Sequence, residues 1–188
     1  AERHAMEFET VETYMTFDEL GGIKEILPRS RNEAHKLIEE CMLLANVAAA
    51  EYALENDIPM LYRVHEPPEF SRIQKVREYV KLLGLPFPEQ PTQKDYQAVI
   101  EATKERIDAP SIHAVLLRSM MQAYYGANNA GHFGLAYDAY THFTSPIRRY
   151  PDLLLHRAIK AHLKQKPSPL SGAALDDAGE HFSQTERR

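Results

Sequence analysis

Residues 142–152, which read HFTSPIRRYPD, carry the side chains of this chain that are best suited to chemistry. Two hydroxyls, two guanidiniums, a phenol and a carboxylate lie within nine of these residues. Ser145 can cap a helix and Pro146 can occupy its first position, so the pattern predicts a helix that begins near Ser145. A helix start favours a phosphate, and Arg148 and Arg149 add planar guanidiniums that match phosphate oxygens. The segment therefore predicts an anion site, and the alternative is an N-cap followed by a solvated basic turn.

This segment and the His-Arg pair that follows it resemble the signature of the ribonuclease II/ribonuclease R family of 3′→5′ exoribonucleases. Residues 132–136 (HFGLA), residues 35–46 and residues 6–10 (MEFET) are also similar to that family, and the Arg-Tyr-Pro at 149–151 has the form of the ribonuclease R branch. The resemblance covers nearly the whole chain. It implies processive hydrolysis of single-stranded or structured RNA from the 3′ end, with release of nucleoside 5′-monophosphates.

The resemblance also implies which parts of the catalytic machinery lie elsewhere. The family's magnesium-binding aspartates precede the segment that matches Ala1, so residues 1–188 are expected to be the C-terminal portion of the catalytic domain, without upstream RNA-binding domains. Magnesium is the expected cofactor, with no ligand in this chain, and the implied mechanism uses two metal ions. The segment alone is therefore expected to be inactive.

The same resemblance implies roles for individual residues. Arg148 matches the arginine that holds the substrate beside the scissile phosphate, Glu39 matches a glutamate that contacts the 3′-terminal nucleotide, and Phe8 matches one side of an aromatic clamp on the terminal bases. A carboxylate can read the ribose 2′-hydroxyl, and stacking accepts every base. The structural alternatives are a solvated arginine, an ion-paired helix glutamate and a core phenylalanine. The other RNA-binding candidates are His142, Thr144, Ser145, Arg149 and Tyr150.

Composition limits the class of protein. The chain has 188 residues, a formal net charge of −5 and one cysteine, Cys41. The negative net charge argues against RNA binding by overall electrostatic attraction. Any RNA-binding path therefore has to be confined to one part of the surface. A single cysteine excludes an internal disulfide and fits a reducing compartment, and we expect a cytoplasmic protein. Since no apolar run approaches about 20 residues, no membrane partner is expected. The full-length enzyme is separately expected to be monomeric.

The predicted fold class is α+β and rich in helices, with a small N-terminal β-hairpin. Residues 5–27 alternate in polarity around a glycine pair, which predicts the hairpin. Ser30 and Glu33 form a capping-box pattern that opens a helix to about Asn56, with one apolar face predicted to be buried. Further helices are predicted at residues 69–83, 93–106, 111–125, 152–164 and from 170 onward. Pro151 is expected to interrupt the helix that begins near Ser145, by a kink or a restart.

Two alternatives remain open at this point. The first is a non-catalytic helical module that binds RNA or protein, which the acidic net charge and the missing aspartate cluster favour. The second is a metal site formed by His35 with Glu39, or by Asp176 and Asp177 with Glu180, although neither set has a third ligand at a convincing spacing. An upstream segment with four closely spaced aspartates would separate the enzyme from the binding module.

Overall fold

The computed structural model describes residue 6, residues 13–28 and residues 32–188. Within these residues, six helices, two small sheets and one 3-10 turn form a helix-rich α+β fold. In chain order the elements are β1 (Thr13–Phe17), β2 (Ile23–Pro28), α1 (Glu33–Glu55), β3 (Tyr62–Val64), α2 (Phe70–Leu82), α3 (Gln93–Thr103), α4 (Ala109–Ser119), β4 (Tyr124–Gly126), a 3-10 turn (Phe133–Leu135), α5 (Tyr150–Leu163) and α6 (Ala173–Glu186). The predicted fold class is confirmed.

The two sheets are antiparallel pairs. β1 and β2 form the predicted hairpin, in which the Asp18 carboxylate accepts the N–H groups of Leu20 at 2.9 Å and Gly22 at 2.7 Å. β3 pairs with β4 so that Val64 lies opposite Tyr124. The helix predicted at 111–125 was therefore too long, because its last residues form a strand with a partner about 60 positions earlier in the chain.

The N-cap of helix α1 lies two residues after the predicted one. Asn32, and not Ser30, is the residue that caps it: Asn32 Oδ1 accepts the His35 N–H at 3.0 Å, and the Asn32 N–H donates to His35 Nδ1 at 3.3 Å. Ser30 itself lies outside the residues that the structure describes. Asparagine caps a helix as well as serine does, so the capping-box pattern at Ser30 did not fix the start of α1.

The apolar face of α1 that was predicted to be buried is largely exposed, and a different face of its second half is buried instead. Ala49, Ala50 and Ala53 in its second half pack in a core with β3 and α5, whereas Leu37 and Ile38 in its first half are largely exposed. A second core joins α2, α3 and α4, and a smaller one joins α6 to β4 and to Leu61, which directly precedes β3. The second half of α1 therefore supports the segment 142–152 together with α5.

The start of α5 corrects the prediction on which the anion site rested. No helix begins at Ser145; the Ser145 carbonyl accepts the N–H groups of Arg148 at 3.2 Å and Arg149 at 3.0 Å, which closes a turn, and α5 starts at Tyr150. Pro151 lacks an N–H and is tolerated in the first turn of a helix, whereas inside a helix from Ser145 it would break a bond. The helix predicted at 152–164 is thus confirmed, but the helical segment predicted before Pro151 is a turn, and Arg148 lies in that turn.

Candidate functional site

The residues from His142 to Arg149, called the signature loop below, are held at their beginning by one side chain of α1. Asn46 is 3% exposed, and its Oδ1 accepts the N–H groups of Phe143 at 2.9 Å and Thr144 at 3.2 Å. Its Nδ2 donates to the Tyr140 hydroxyl at 2.9 Å. The amide therefore satisfies two consecutive, partly buried N–H groups, which would be costly to leave unpaired.

The end of the signature loop is held by α5. Asp152 is completely buried, and its Oδ1 accepts the Ser145 N–H at 2.7 Å and a guanidinium N–H of Arg149 at 3.0 Å. Arg149 Nε also lies 2.9 Å from Asp152 Oδ2, so the two side chains form an ion pair. Arg149 is thus directed toward the protein, and its predicted contact with RNA stays a prediction.

Arg148 has the opposite environment. Its side chain is exposed, and its Nε donates to Ser145 Oγ at 3.2 Å. Among the described residues, the two terminal nitrogens of its guanidinium have no hydrogen-bond partner. The neighbouring Ile147 is fully exposed as well. The turn therefore presents one oriented guanidinium to solvent, and such a fork can donate two parallel hydrogen bonds to a phosphate.

Aromatic rings form the base on which the loop rests. The Tyr125 hydroxyl lies 2.8 Å from His142 Nδ1, and the Tyr140 ring lies 5.8 Å from the His142 ring. Burial, helped by the positive charges of Arg149 and Arg63, lowers the pKa of His142 to about 3. His142 is therefore neutral at physiological pH, so it can offer a ligand a hydrogen bond but no positive charge.

The other predicted loop residues offer polar groups of different accessibility. Among the described residues, the buried Thr144 Oγ1 has no hydrogen-bond partner. Tyr150 is 51% exposed, and its hydroxyl accepts a hydrogen bond from Arg157 at 3.3 Å. Its ring lies 5.6 Å from the ring of Phe182 on α6. The structure thus gathers the loop candidates at one place, with Tyr150 and Arg148 toward solvent.

The remaining candidates, Glu39 and Phe8, come from the first part of the chain and not from the signature loop. Glu39 lies on the exposed half of α1, seven residues before Asn46 and on nearly the same face of the helix. That spacing corresponds to about 10 Å along the helix axis. Phe8 lies outside the residues that the structure describes, so its predicted stacking role stays a prediction.

Comparison with known proteins places these features in a family. The RNB domain family matches residues 1–165, which include both α1 and the whole signature loop. The chain belongs to the RNB domain family. The predicted family resemblance is therefore confirmed.

Individual members of the RNB family show how much of a longer protein is covered. Ribonuclease R of Vibrio cholerae is 49% identical over 201 aligned residues, which are 100% of this chain and 24% of that protein. The solved structure of Mycoplasma genitalium RNase R in complex with ribose-methylated single-stranded RNA has a TM-score of 0.86 and 28% identity, over 99% of this chain and 30% of that one. Yeast Ssd1, described as a pseudonuclease, has a TM-score of 0.71 and 26% identity, over 81% of this chain and 20% of that one. The chain spans about a quarter of the length of the curated relatives.

The described part of this RNB segment does not cluster side chains that bind metal ions. Within the described residues, no group of three or more His, Cys, Asp or Glu side chains could hold a metal ion, and His35, Glu39 and the acids 176–180 do not form one. These residues therefore do not fit magnesium. None of the described helices is long and apolar enough to cross a membrane.

Sequence reasoning missed the residues that hold this RNB site in place. Asn46 carried one signal, because it ends the segment 35–46 that is similar to the family. Asp152 also carried one, because it lies inside the signature. Tyr125 and Arg63 carried none: they meet through the β3–β4 pairing, where the Arg63 guanidinium lies 4.7 Å from the centre of the Tyr125 ring and binds both Glu186 oxygens at 2.6 and 3.1 Å.

Proposed function

We propose that this chain is the part of a 3′→5′ exoribonuclease of the ribonuclease R type that positions the RNA 3′ end and its scissile phosphate. The observation that carries the proposal is the exposed, oriented guanidinium of Arg148 on the signature loop. It is supported by 49% identity to a ribonuclease R across the whole chain. The partner would be the 3′ end of a single-stranded or structured RNA.

In this proposal Arg148 meets the negative charge that grows on the phosphate in the transition state. Ser145 Oγ holds Nε of Arg148, so the two terminal nitrogens point outward as a prepared pair of donors. The ion pair of Arg149 with Asp152 fixes the turn beneath them. Since Arg149 is engaged in that pair, the proposal assigns the charge-stabilising role to Arg148 and a supporting role to Arg149.

The proposal gives the remaining candidates roles in holding RNA. Glu39 accepts hydrogen bonds from hydroxyls of the terminal ribose, which provides a physical basis for choosing RNA over DNA. Tyr150, half-exposed beside Arg157, contacts the substrate near Arg148, and Phe8 stacks on the terminal bases. Thr144 and neutral His142, at the start of the loop, offer hydrogen bonds to the RNA.

The complete protein, in this proposal, supplies what these residues lack. Magnesium would be bound by aspartates of the preceding part of the catalytic domain and would activate water and neutralise charge at the phosphate. The segment alone would then bind RNA weakly and not hydrolyse it. A cytoplasmic location and a monomeric enzyme stay predictions.

A non-catalytic binding module is the second candidate. The observation that favours it is the similarity to yeast Ssd1, a pseudonuclease, at a TM-score of 0.71. The same fold is therefore found in a protein described as lacking nuclease activity. In that case the signature loop would hold RNA without cleaving it.

The experiment that separates the two candidates uses RNA labelled at its 5′ end and the complete protein with magnesium. The exoribonuclease is expected to shorten the RNA stepwise from the 3′ end and to release nucleoside 5′-monophosphates, and a chelator is expected to stop it. The 188-residue segment at the same concentration is the control and is expected to leave the RNA intact. Binding without shortening by the complete protein would contradict the enzyme and favour the module.

A further inference from the structure

We infer that Asn46 is a positioning residue for the reaction: it sets the distance between Glu39 on α1 and Arg148 on the signature loop. The inference rests on the proposed function, because it concerns how the two proposed substrate contacts are held relative to each other. Asn46 touches no substrate in this picture and acts only through the backbone that it binds.

The hydrogen bonds of Asn46 are arranged to fix a backbone segment. Its Oδ1 accepts from two consecutive residues, Phe143 and Thr144, at 2.9 and 3.2 Å, directly before the turn that carries Arg148. Its Nδ2 is occupied by the Tyr140 hydroxyl at 2.9 Å, so the amide has one fixed orientation. A single buried amide therefore holds two consecutive backbone N–H groups at the start of the loop.

Asn46 differs from the other supports of the loop in where it comes from. Asp152 binds the Ser145 N–H, and His156 donates to the Phe143 carbonyl at 2.9 Å and stacks on its ring at 4.1 Å. Both belong to α5, which directly follows the loop. Asn46 belongs to α1 and lies 97 residues before Phe143. It therefore connects the loop to the helix that carries Glu39, about two turns away.

This connection has a consequence for catalysis that is distinct from stability. If the terminal ribose is bound by α1 and the scissile phosphate by the loop, a small shift of the loop separates the two contacts. A misplacement of about 1 Å can reduce turnover about 100-fold even when binding persists. Loss of Asn46 should therefore lower kcat much more than it raises KM.

The test compares three variants of the complete protein in single-turnover and steady-state assays on the same RNA, well below the unfolding temperature. Asn46→Ala removes all three hydrogen bonds. Asn46→Asp keeps an acceptor for both loop N–H groups, and the Tyr140 hydroxyl can rotate to donate to it. Thr103→Ala is the control, because it removes a buried hydroxyl that bonds only within α3 and toward His113, away from the loop.

We expect Asn46→Ala to lower kcat about 10- to 100-fold with KM nearly unchanged, Asn46→Asp to recover part of the loss, and Thr103→Ala to keep the parent kcat. If Asn46→Ala does not fold, Asn46→Ser takes its place, because its shorter hydroxyl cannot reach both N–H groups, and the same fall in kcat is expected.

Arg148→Ala, measured in parallel, separates this inference from the proposed function. A parent that does not shorten RNA would overturn both. An active parent with an impaired Arg148→Ala, but with a kcat for the Asn46 variant equal to that of Thr103→Ala, would overturn the inference alone. A rise in KM with an unchanged kcat would do so too, since Asn46 would then serve binding only.

Discussion

The signature loop has an inner side, which contacts α1 and α5, and an outer side, which faces solvent. The side chains on these two sides have opposite environments. On the inner side, Asn46, His142 and Asp152 are buried or largely buried, and each side chain hydrogen-bonds to another residue. On the outer side, Ile147 and Arg148 project from the turn into solvent. The inner side therefore determines where the loop lies, and the outer side determines what it can bind.

This difference separates effects on the free energy of unfolding from effects on the chemical reaction. A change on the inner side leaves a buried polar group unpaired and lowers the free energy of unfolding. A change on the outer side removes no packing and no buried hydrogen bond, so its effect should appear in chemistry and not in stability. Variants can therefore be ordered by their expected effect on folding.

Asp152→Ala should have the largest effect. It leaves the Ser145 N–H and the partly buried Arg149 guanidinium without their shared partner, which should lower the free energy of unfolding by about 3–5 kcal/mol. Urea unfolding followed by circular dichroism measures it. Asp177→Ala, at an exposed position on α6, is the control and should change stability by less than about 0.5 kcal/mol. Equal effects of the two variants would show that the buried ion pair does not hold the loop.

Acid should have an intermediate effect through the buried histidines. Burial lowers the pKa values of His132 and His142 to about 3, and it also lowers the pKa of His65. The unfolded chain, with histidine pKa values near 6.5, binds more protons, so stability is complete above about pH 6.5 and falls as the pH decreases toward 3. Between pH 6 and 5, His132 and His142 should each contribute a slope that approaches about 1.4 kcal/mol per pH unit.

His132→Asn provides the matched variant for that slope. The asparagine Oδ1 can take the place of Nδ1, which accepts the Leu135 N–H at 3.1 Å, but it does not titrate. The slope of the free energy of unfolding against pH should therefore decrease by about one proton. An unchanged slope would mean that His132 is protonated in the folded protein.

The sequence predicted much of this fold because its strongest signals are local. The hairpin, the helix predicted at 152–164 and the end of α2, where Gly84 adopts a positive φ of 74°, each depend on a few neighbouring residues. The helix start predicted at Ser145 was wrong because a Ser-Pro pair suits a turn as well as a helix start. β4 was missed because its partner strand is distant in sequence.

The candidate site shows the same limit. The signature indicated Arg148 and its neighbours, but the partners Asn46 and Tyr125 come from elements that only the folded chain brings together. The apolar stripe of α1 is a related case: the spacing predicts that a face prefers contact over water, but not what covers it, and Leu37 and Ile38 stay exposed here.

Arg148→Ala should have the smallest effect on folding. The side chain is exposed and its one hydrogen bond among the described residues is to Ser145 Oγ. We expect a change in the free energy of unfolding within about 0.5 kcal/mol, measured by the same urea titration. A larger loss would place Arg148 among the supports of the loop instead of on its binding side.

The same variant in the complete protein gives the decisive result, through single-turnover cleavage and equilibrium binding on one 3′-ended RNA. Because the reacting phosphate has no second arginine aimed at it in this loop, Arg148→Ala should slow cleavage by about 10²–10³ while affinity stays close to the parent's. Arg148→Lys should recover only part, since an ammonium keeps the charge and loses the paired donors. Unchanged cleavage with a collapse of affinity would contradict the role of Arg148 at the scissile phosphate.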